Sequence, residues 1–447
     1  MSLEFLDARV LGTRARLART VLRHVATVAK EGDVRPVIVS PDLARRFLDC
    51  VGCSAETFSL TTRIFELEAK DGDDVLVRDV ESALPLIFSR KGHIVVNFDI
   101  AATRAFRFAD SKRPVYTYVP GFDIHKVPEW FRRPVSNVVQ ALRSGKLDVV
   151  ARYGALPLTG FECAALLIAI AASDANRLPF TWPSGHRAVF LSFHDVDTAG
   201  LLARKDLDPL LCVEQKHGIR SCWFVPTTVL GRDEHAVDFL RQAGHEVGWR
   251  GHKHDHREHV GRHADAAVNA LTHSQLVDAA NFPLGMRLPR LLKSHYLFAQ
   301  LEPPRTMLQY DTSFLNGVVP YPLWLNGGPS KILEIPTTVP TDILLYNQLH
   351  QLPPRQRGDV MLQVQIARTE RLRAIGAVIS IVTHPEKGIS ERPDFLNVYD
   401  QYLAYIRSAT DIWFPTAGEF FSYWTGLQAP VAQPASSDVL QAEAMAQ

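Results

Sequence analysis

Eight apolar runs recur between residues 188 and 414 of this 447-residue chain, and their spacing restricts its fold more than any other feature. They are Ala188–Phe193, Cys222–Val225, Glu246–Trp249, Met286–Leu291, Met307–Tyr310, Ile332–Ile335, Ala377–Val382 and Asp411–Phe414. Stretches of helical periodicity, such as Asp233–Ala243 and Asp359–Ile375, lie between several of them. Parallel strands need a long crossover, usually a helix, so this alternation predicts an α/β fold with a parallel sheet. Seven or eight such repeats over about 240 residues favour a (β/α) barrel, whose chemistry gathers just past the carboxyl ends of the strands.

The segment Asn176–Arg187, rich in proline, glycine and polar residues, precedes this series and separates it from a different texture. Upstream, short apolar strands at Pro36–Val39, Val75–Val77 and Ile94–Phe98 alternate with helical stretches such as Ser136–Arg143, which predicts a smaller mixed α/β domain. From Ala429 the chain is rich in Ala, Gln and Ser and has no aromatic residue, the composition of a disordered tail. The expected organisation is an N-terminal domain of unassigned role over 1–180, a barrel over 186–427 and a tail over 428–447.

With 49 basic against 48 acidic residues, no global field favours nucleic acid. Locally, Ala8–Lys30 holds six basic residues and no acid, with Val10, Leu17, Val21, Leu22, Val25 and Val28 near helical spacing. Such a helix fits either peripheral contact with an anionic membrane or, more commonly, docking on its own domain. The first thirty residues lack a compact apolar core with a small-residue cleavage site, and the run Cys163–Ala172 is too short to span a bilayer. Cys50 and Cys53 form a lone CxxC, weak support for a redox role, and five cysteines cannot all pair. Reduced thiols and a cytoplasmic location are the economical expectation.

Two polar patches follow apolar runs. The run VFLSFHDVD ends in Asp195 and Asp197, and six of the seventeen histidines crowd into His245–His263. A lone surface histidine is usually a solvated loop residue. Here, carboxylates and imidazoles on separate segments aimed at one sheet end are what a divalent metal site needs. Residues two apart in an extended strand share a face, so Asp195 and Asp197 can both point into one pocket. The less favoured reading of Asp197 is that it caps a following helix or solvates a turn.

Taken in order, the landmarks of residues 186–425 resemble the polysaccharide deacetylase family (carbohydrate esterase family 4). They are Asp195-Val-Asp197, Gly244-His-Glu-Val-Gly248, Arg287-Leu-Pro289 and Val378–His384-Pro385, with Tyr310–Phe314 and Leu333–Pro336 between them. The D-V-D-T spelling is closer to the lipid-linked aminoarabinose deformylases than to the chitin deacetylases. The resemblance implies a distorted, incomplete (β/α) barrel that removes an acetyl or formyl group from an amino sugar in a surface polysaccharide or lipid-linked glycan. It also implies Asp195 as base, His384 as acid, Arg287 orienting the aspartate, and a divalent metal, zinc first, on Asp197 and histidines.

One position departs from the pattern. Anchored on Gly244–Gly248, the family's first metal histidine falls on Arg250 and the second on His254; a two-residue slide gives His252 and His256 instead. Arginine stays protonated and has no lone pair for a metal. Either His252 or His256 joins His254, or metal binds weakly, or the site has abandoned metal. His194, beside the acids, either lies in the barrel wall or compensates as a ligand. The rival functions are therefore a metal-independent amide or ureide hydrolase and a non-catalytic carbohydrate-binding protein.

Overall fold

The computed structural model describes residues 34–98 and 149–426, each with short gaps, and the pairs 118–119 and 122–123. The basic segment Ala8–Lys30, the helical stretch Ser136–Arg143, Cys53, His256 and the tail from Ala429 lie outside the described residues.

Near the N-terminus, β1 (Val34–Ile38) and β2 (Ser59–Arg63) pair antiparallel. β3 (Asp74–Arg78), β4 (Pro85–Arg90) and β5 (His93–Val96) form an antiparallel meander. β6 (Tyr118–Val119) and β7 (Phe122–Asp123) pair separately. The strands expected at Pro36–Val39, Val75–Val77 and Ile94–Phe98 overlap β1, β3 and β5.

A fourth, larger sheet positions the chemistry. Its strands are β8 (Ala188–Asp195), β9 (Cys222–Val225), β10 (Glu246–Trp249), β11 (Leu284–Met286), β12 (Leu308–Asp311), β13 (Tyr321–Leu325), β14 (Gly328–Glu334), β15 (Val378–Thr383) and β16 (Ile412–Trp413). The order is β13-β14-β12-β11-β10-β9-β8-β15, with β16 also on β8. All pairings are parallel except β13–β14. Helices Arg204–His217, Glu234–Gln242 and Pro354–Ala374 make crossovers, as the alternation predicts. Every residue of β8 and β15 is buried, the mark of strands covered on both faces.

The ladder path is open among the described residues, so a regular closed barrel is not seen. The gap between β14 and β15 is bridged by polar groups instead. Val339 N–H donates to the Ser380 carbonyl at 3.0 Å. The Ser380 N–H donates to Thr338 Oγ1 and the Thr338 N–H to Ser380 Oγ, each at 2.9 Å.

Two local expectations are corrected. The strand expected at Met286–Leu291 is Leu284–Met286, followed by a tight turn at Pro289–Leu291. Pro289 has no N–H for a ladder, and Arg290 and Leu291 take left-handed φ of 52° and 56°. The antiparallel β13–β14 hairpin was not evident in the sequence because only Ile332–Ile335 stood out as apolar.

The apolar run Cys163–Ala172 lies in the helix Gly160–Ser173, and no helix among the described residues is long and apolar enough to cross a membrane. The described residues of 149–182 pack against the helix Pro354–Ala374 and loops flanking the large sheet. Arg368 Nε and Nη2 donate to the Tyr153 carbonyl at 2.9 and 2.6 Å, and Trp182 Nε1 donates to the Gly376 carbonyl at 3.1 Å. Glu162, fully buried, accepts from the N–H groups of Val318 and Val319, both at 2.8 Å. Glu162→Ala would orphan both donors at about 1–3 kcal/mol each. The expected result is a lower urea midpoint with an unchanged m-value.

Candidate active site

The last residue of β8 and the residues just after β10, β11 and β15 meet at one carboxyl edge. Asp195 ends β8, Arg250 follows β10, Arg287 follows β11 and His384 follows β15. Backbone bonds fix these ends: Arg250 N–H donates to the Val225 carbonyl at 3.1 Å, and Arg287 N–H to the Trp249 carbonyl at 2.9 Å.

Asp195 is almost fully buried. Its Oδ2 lies 2.9 Å from Arg287 Nε, 3.0 Å from Arg250 Nη2 and 3.5 Å from His384 Nε2. Its Oδ1 is buried and has no hydrogen-bond partner. Arg287, itself buried, is held by Thr337 Oγ1 at 2.7 Å and by the Thr312 carbonyl. Arg287, the residue expected to orient Asp195, is in direct contact with it.

His384 is anchored by a residue that the sequence did not single out. Asp342 begins the helix Asp342–Leu349; one oxygen lies 2.7 Å from His384 Nδ1 and the other accepts the His384 N–H at 2.6 Å. Nothing in the sequence marks Asp342, since an acid at a helix start is common. Burial alone would lower the His384 pKa, but Asp342, then Asp195 and Asp197, raise it to about 9. The imidazolium therefore persists at neutral pH. A folded pKa above the ordinary 6.5 gives stability that is complete below 6.5 and lost as pH rises through about 9. Unfolding monitored between those values is expected to show this alkaline loss, and Asp342→Asn is expected to flatten it.

Asp197 lies just beyond β8, with its side chain one-fifth exposed. Its Oδ1 accepts from Arg250 Nε at 3.1 Å and Nη2 at 2.9 Å, and lies 2.9 Å from His254 Nε2. Burial would raise its pKa, but Arg250 and His254 together hold the carboxyl far below its usual range. Arg250 itself is buried and spends Nη1 on the carbonyls of Leu288 at 3.0 Å and Arg287 at 3.4 Å. Its guanidinium thus bridges both aspartates. Sequence reasoning found Arg250 only as a departure from a pattern, not as the centre of the site.

The loop after β10 is shaped by Glu258, whose carboxylate accepts the N–H groups of His252 at 2.8 Å, Lys253 at 2.6 Å and Asp255 at 2.9 Å. This holds His254 at a left-handed φ of 56°, a conformation unusual for a residue with a Cβ. Gly251, at φ 81°, has no room for a side chain: a Cβ there would meet Glu258 and Pro289.

Of the expected metal set Asp197, His252, His254 and His256, the described members do not converge on one point. His252 turns its Nδ1 to Thr227 Oγ1 at 2.8 Å, and His256 lies outside the described residues. Among the described residues no three His, Cys, Asp or Glu side chains are grouped to hold a metal ion. The donors that remain, Asp197 and His254, face a guanidinium, which repels a divalent cation and offers it no lone pair. Among the described residues, this arrangement does not fit a resident metal.

His194 faces away from this edge. Its Nε2 lies 3.0 Å from Glu214 Oε1 and its Nδ1 2.6 Å from Thr383 Oγ1, in the layer between sheet and helices. It belongs to the wall and does not replace a ligand.

No protein-family model matches the chain, and no curated protein matches it. Solved structures do resemble it. One, described as a polysaccharide deacetylase from Mycobacterium smegmatis, is 20% identical over 57% of this chain and 97% of its own, with a TM-score of 0.45. Another, described as Puue allantoinase, is 17% identical over 56% and 94% of the two chains, with a TM-score of 0.45. A third, described as a polysaccharide deacetylase from Pseudomonas aeruginosa PAO1, is 16% identical over 56% and 94%, with a TM-score of 0.44. Overlap at this level does not decide activity or substrate, which rest on the residues of this chain.

Proposed function

We propose that this protein is a hydrolase of C–N bonds that works without a resident metal, with Asp195 as base, His384 as acid and Arg250 as the fixed cation. The observation that carries the reading is the split role of the Asp195 carboxylate. One oxygen is held by two arginines near His384, and the other is buried with no partner. A buried acceptor left open next to a proton donor is a base and an acid in reach of one substrate.

Water attacking an amide carbonyl would give its proton to Asp195 Oδ1. His384 Nε2–H would protonate the departing nitrogen as the C–N bond breaks, releasing a carboxylic acid and an amine. Asp342 stabilises the imidazolium beforehand and keeps the donating nitrogen turned toward Asp195. The Arg250 charge acts on developing negative charge through space, in a site whose charged groups Asp195, Arg287 and His384 are buried.

The substrate class that fits the sequence resemblance is an N-acetyl or N-formyl amino sugar, and a cyclic ureide is the second choice. The basic segment Ala8–Lys30 supports a lipid-linked form of that sugar. Residues 186–427 carry the site in this reading, preceded by a domain over 1–180 of unassigned role.

One observation favours a non-catalytic, sugar-binding reading. Nε, Nη1 and Nη2 of Arg250 all point to protein acceptors, so the group aims no nitrogen at an oxyanion. The experiment is to incubate untagged protein with N-acetylglucosamine oligomers, an N-formyl amino sugar and a cyclic ureide, with and without a chelator, and assay released acid or amine. Turnover that the chelator leaves intact is expected. Turnover abolished by chelator and restored by zinc would overturn the metal-free mechanism, and sugar binding without release would make the protein a binding module.

A further inference from the structure

Behind the wall that carries Asp195 and His384 lies a buried polar cluster that the proposed chemistry does not use. Glu214, fully buried on the helix Arg204–His217, is its centre. Its Oε1 accepts from Tyr399 Oη at 2.8 Å and lies 3.0 Å from His194 Nε2; its Oε2 accepts from Ser221 Oγ at 2.8 Å. Burial would raise the Glu214 pKa, but His194 and then His245 and Ser221 hold it below its usual value. His194 continues the chain through Nδ1 to Thr383 Oγ1 at 2.6 Å and lies against the Trp223 ring at a centroid distance of 4.0 Å.

The placement matters because of strand geometry. His194 and Thr383 are direct partners in the β8–β15 ladder, and each is the residue immediately before a member of the acid–base pair. Successive side chains of a strand point to opposite faces. A clamp joining His194 to Thr383 on the outer face therefore fixes where Asp195 and His384 emerge on the inner rim, where their contact is 3.5 Å. An apolar pair would fill the same space at lower cost, since buried polar groups must all be satisfied. What the polar pair adds is a directional bond across the last rung of the ladder.

We infer that the Glu214–His194–Thr383 chain is a positioning device for the acid–base pair, with His194 and Thr383 as positioning residues that touch no substrate. This rests on the proposed roles of Asp195 and His384. Thr383→Val keeps the shape and removes only the bond to His194.

The experiment uses the full chain at neutral pH and reads two signals: the downfield imidazole Nε2–H resonance of His384 by nitrogen-15 NMR, and kcat and KM on N-acetylglucosamine oligomers. Thr369→Val is the control, because it deletes another buried bond of 2.6 Å, to Tyr402, away from the rim. Thr383→Val is expected to move the His384 signal toward its position in Asp195→Asn and to lower kcat about tenfold with KM little changed. Thr383→Ser is expected to restore both, and Thr369→Val to move neither while lowering the melting temperature. A His384 signal unmoved in Thr383→Val, or moved equally in Thr369→Val, would overturn the inference. The NMR signal is independent of turnover, so a protein that shows the shift but hydrolyses no amide would retain the clamp and lose the hydrolase reading instead.

Discussion

Asp195→Asn is expected to lower kcat by about 10²–10⁴-fold, the usual range for loss of a general acid or base. The amide can still accept the Arg287 Nε–H that reaches Asp195 at 2.9 Å, so the side chain should stay in place. What disappears is the basicity of Oδ1, the atom left without a partner. KM should change far less than kcat, because the lost interaction belongs to the transition state. Asp197→Asn provides the comparison. Its carboxylate already accepts twice from Arg250 and sits beside His254, so it is engaged and not open. Its loss should mainly lower the melting temperature. If Asp197→Asn abolishes turnover and Asp195→Asn does not, the two roles have been exchanged; if neither affects it, the hydrolase reading fails.

The parts of this site that were legible in the sequence are those whose signal is local. An apolar run such as VFLSFHDVD is both a buried strand and a statement of where it ends, so the residues alone put Asp195 at a sheet edge. The same holds for His384 after VISIVT. Partners contributed by tertiary contact were not legible. Asp342 is forty-two residues from His384 and carries no mark beyond a helix start. The bridging role of Arg250 depends on Asp197, fifty-three residues earlier, and on carbonyls after β11. Periodicity fared similarly. It gave the parallel crossovers, because helices and strands repeat at different periods, but it overran β11, where a proline turn follows three residues of ladder. It was also silent on the Ser380 bridge to the segment after β14, which needs only one short polar side chain.

Arg250→His tests whether the guanidinium stands where a metal would otherwise sit. The wild-type side chain bridges Asp195 and Asp197 with one buried cation at 3.0 and 2.9 Å. Removing one partner of a buried ion pair costs about 3–5 kcal/mol, because the remaining charges lose their compensation. The variant without metal is therefore expected to melt well below wild type. The loss should shrink in acid: the wild-type depression of the Asp197 pKa contributes stability above the usual carboxylate range and loses it as pH falls. With the guanidinium gone, an imidazole at 250 joins His254 and the open carboxylates as a donor set for a divalent ion. Zinc at about a hundred times its dissociation constant would then restore about 2.7 kcal/mol. Thermal unfolding with and without zinc checks both halves, and wild type should not respond to the metal. A wild-type shift as large as that of the variant would mean that Arg250 does not exclude the ion, and the metal-free mechanism would fall with it. A variant that loses stability but gains nothing from zinc would show that Arg250 balances the aspartates without standing in a cation's place.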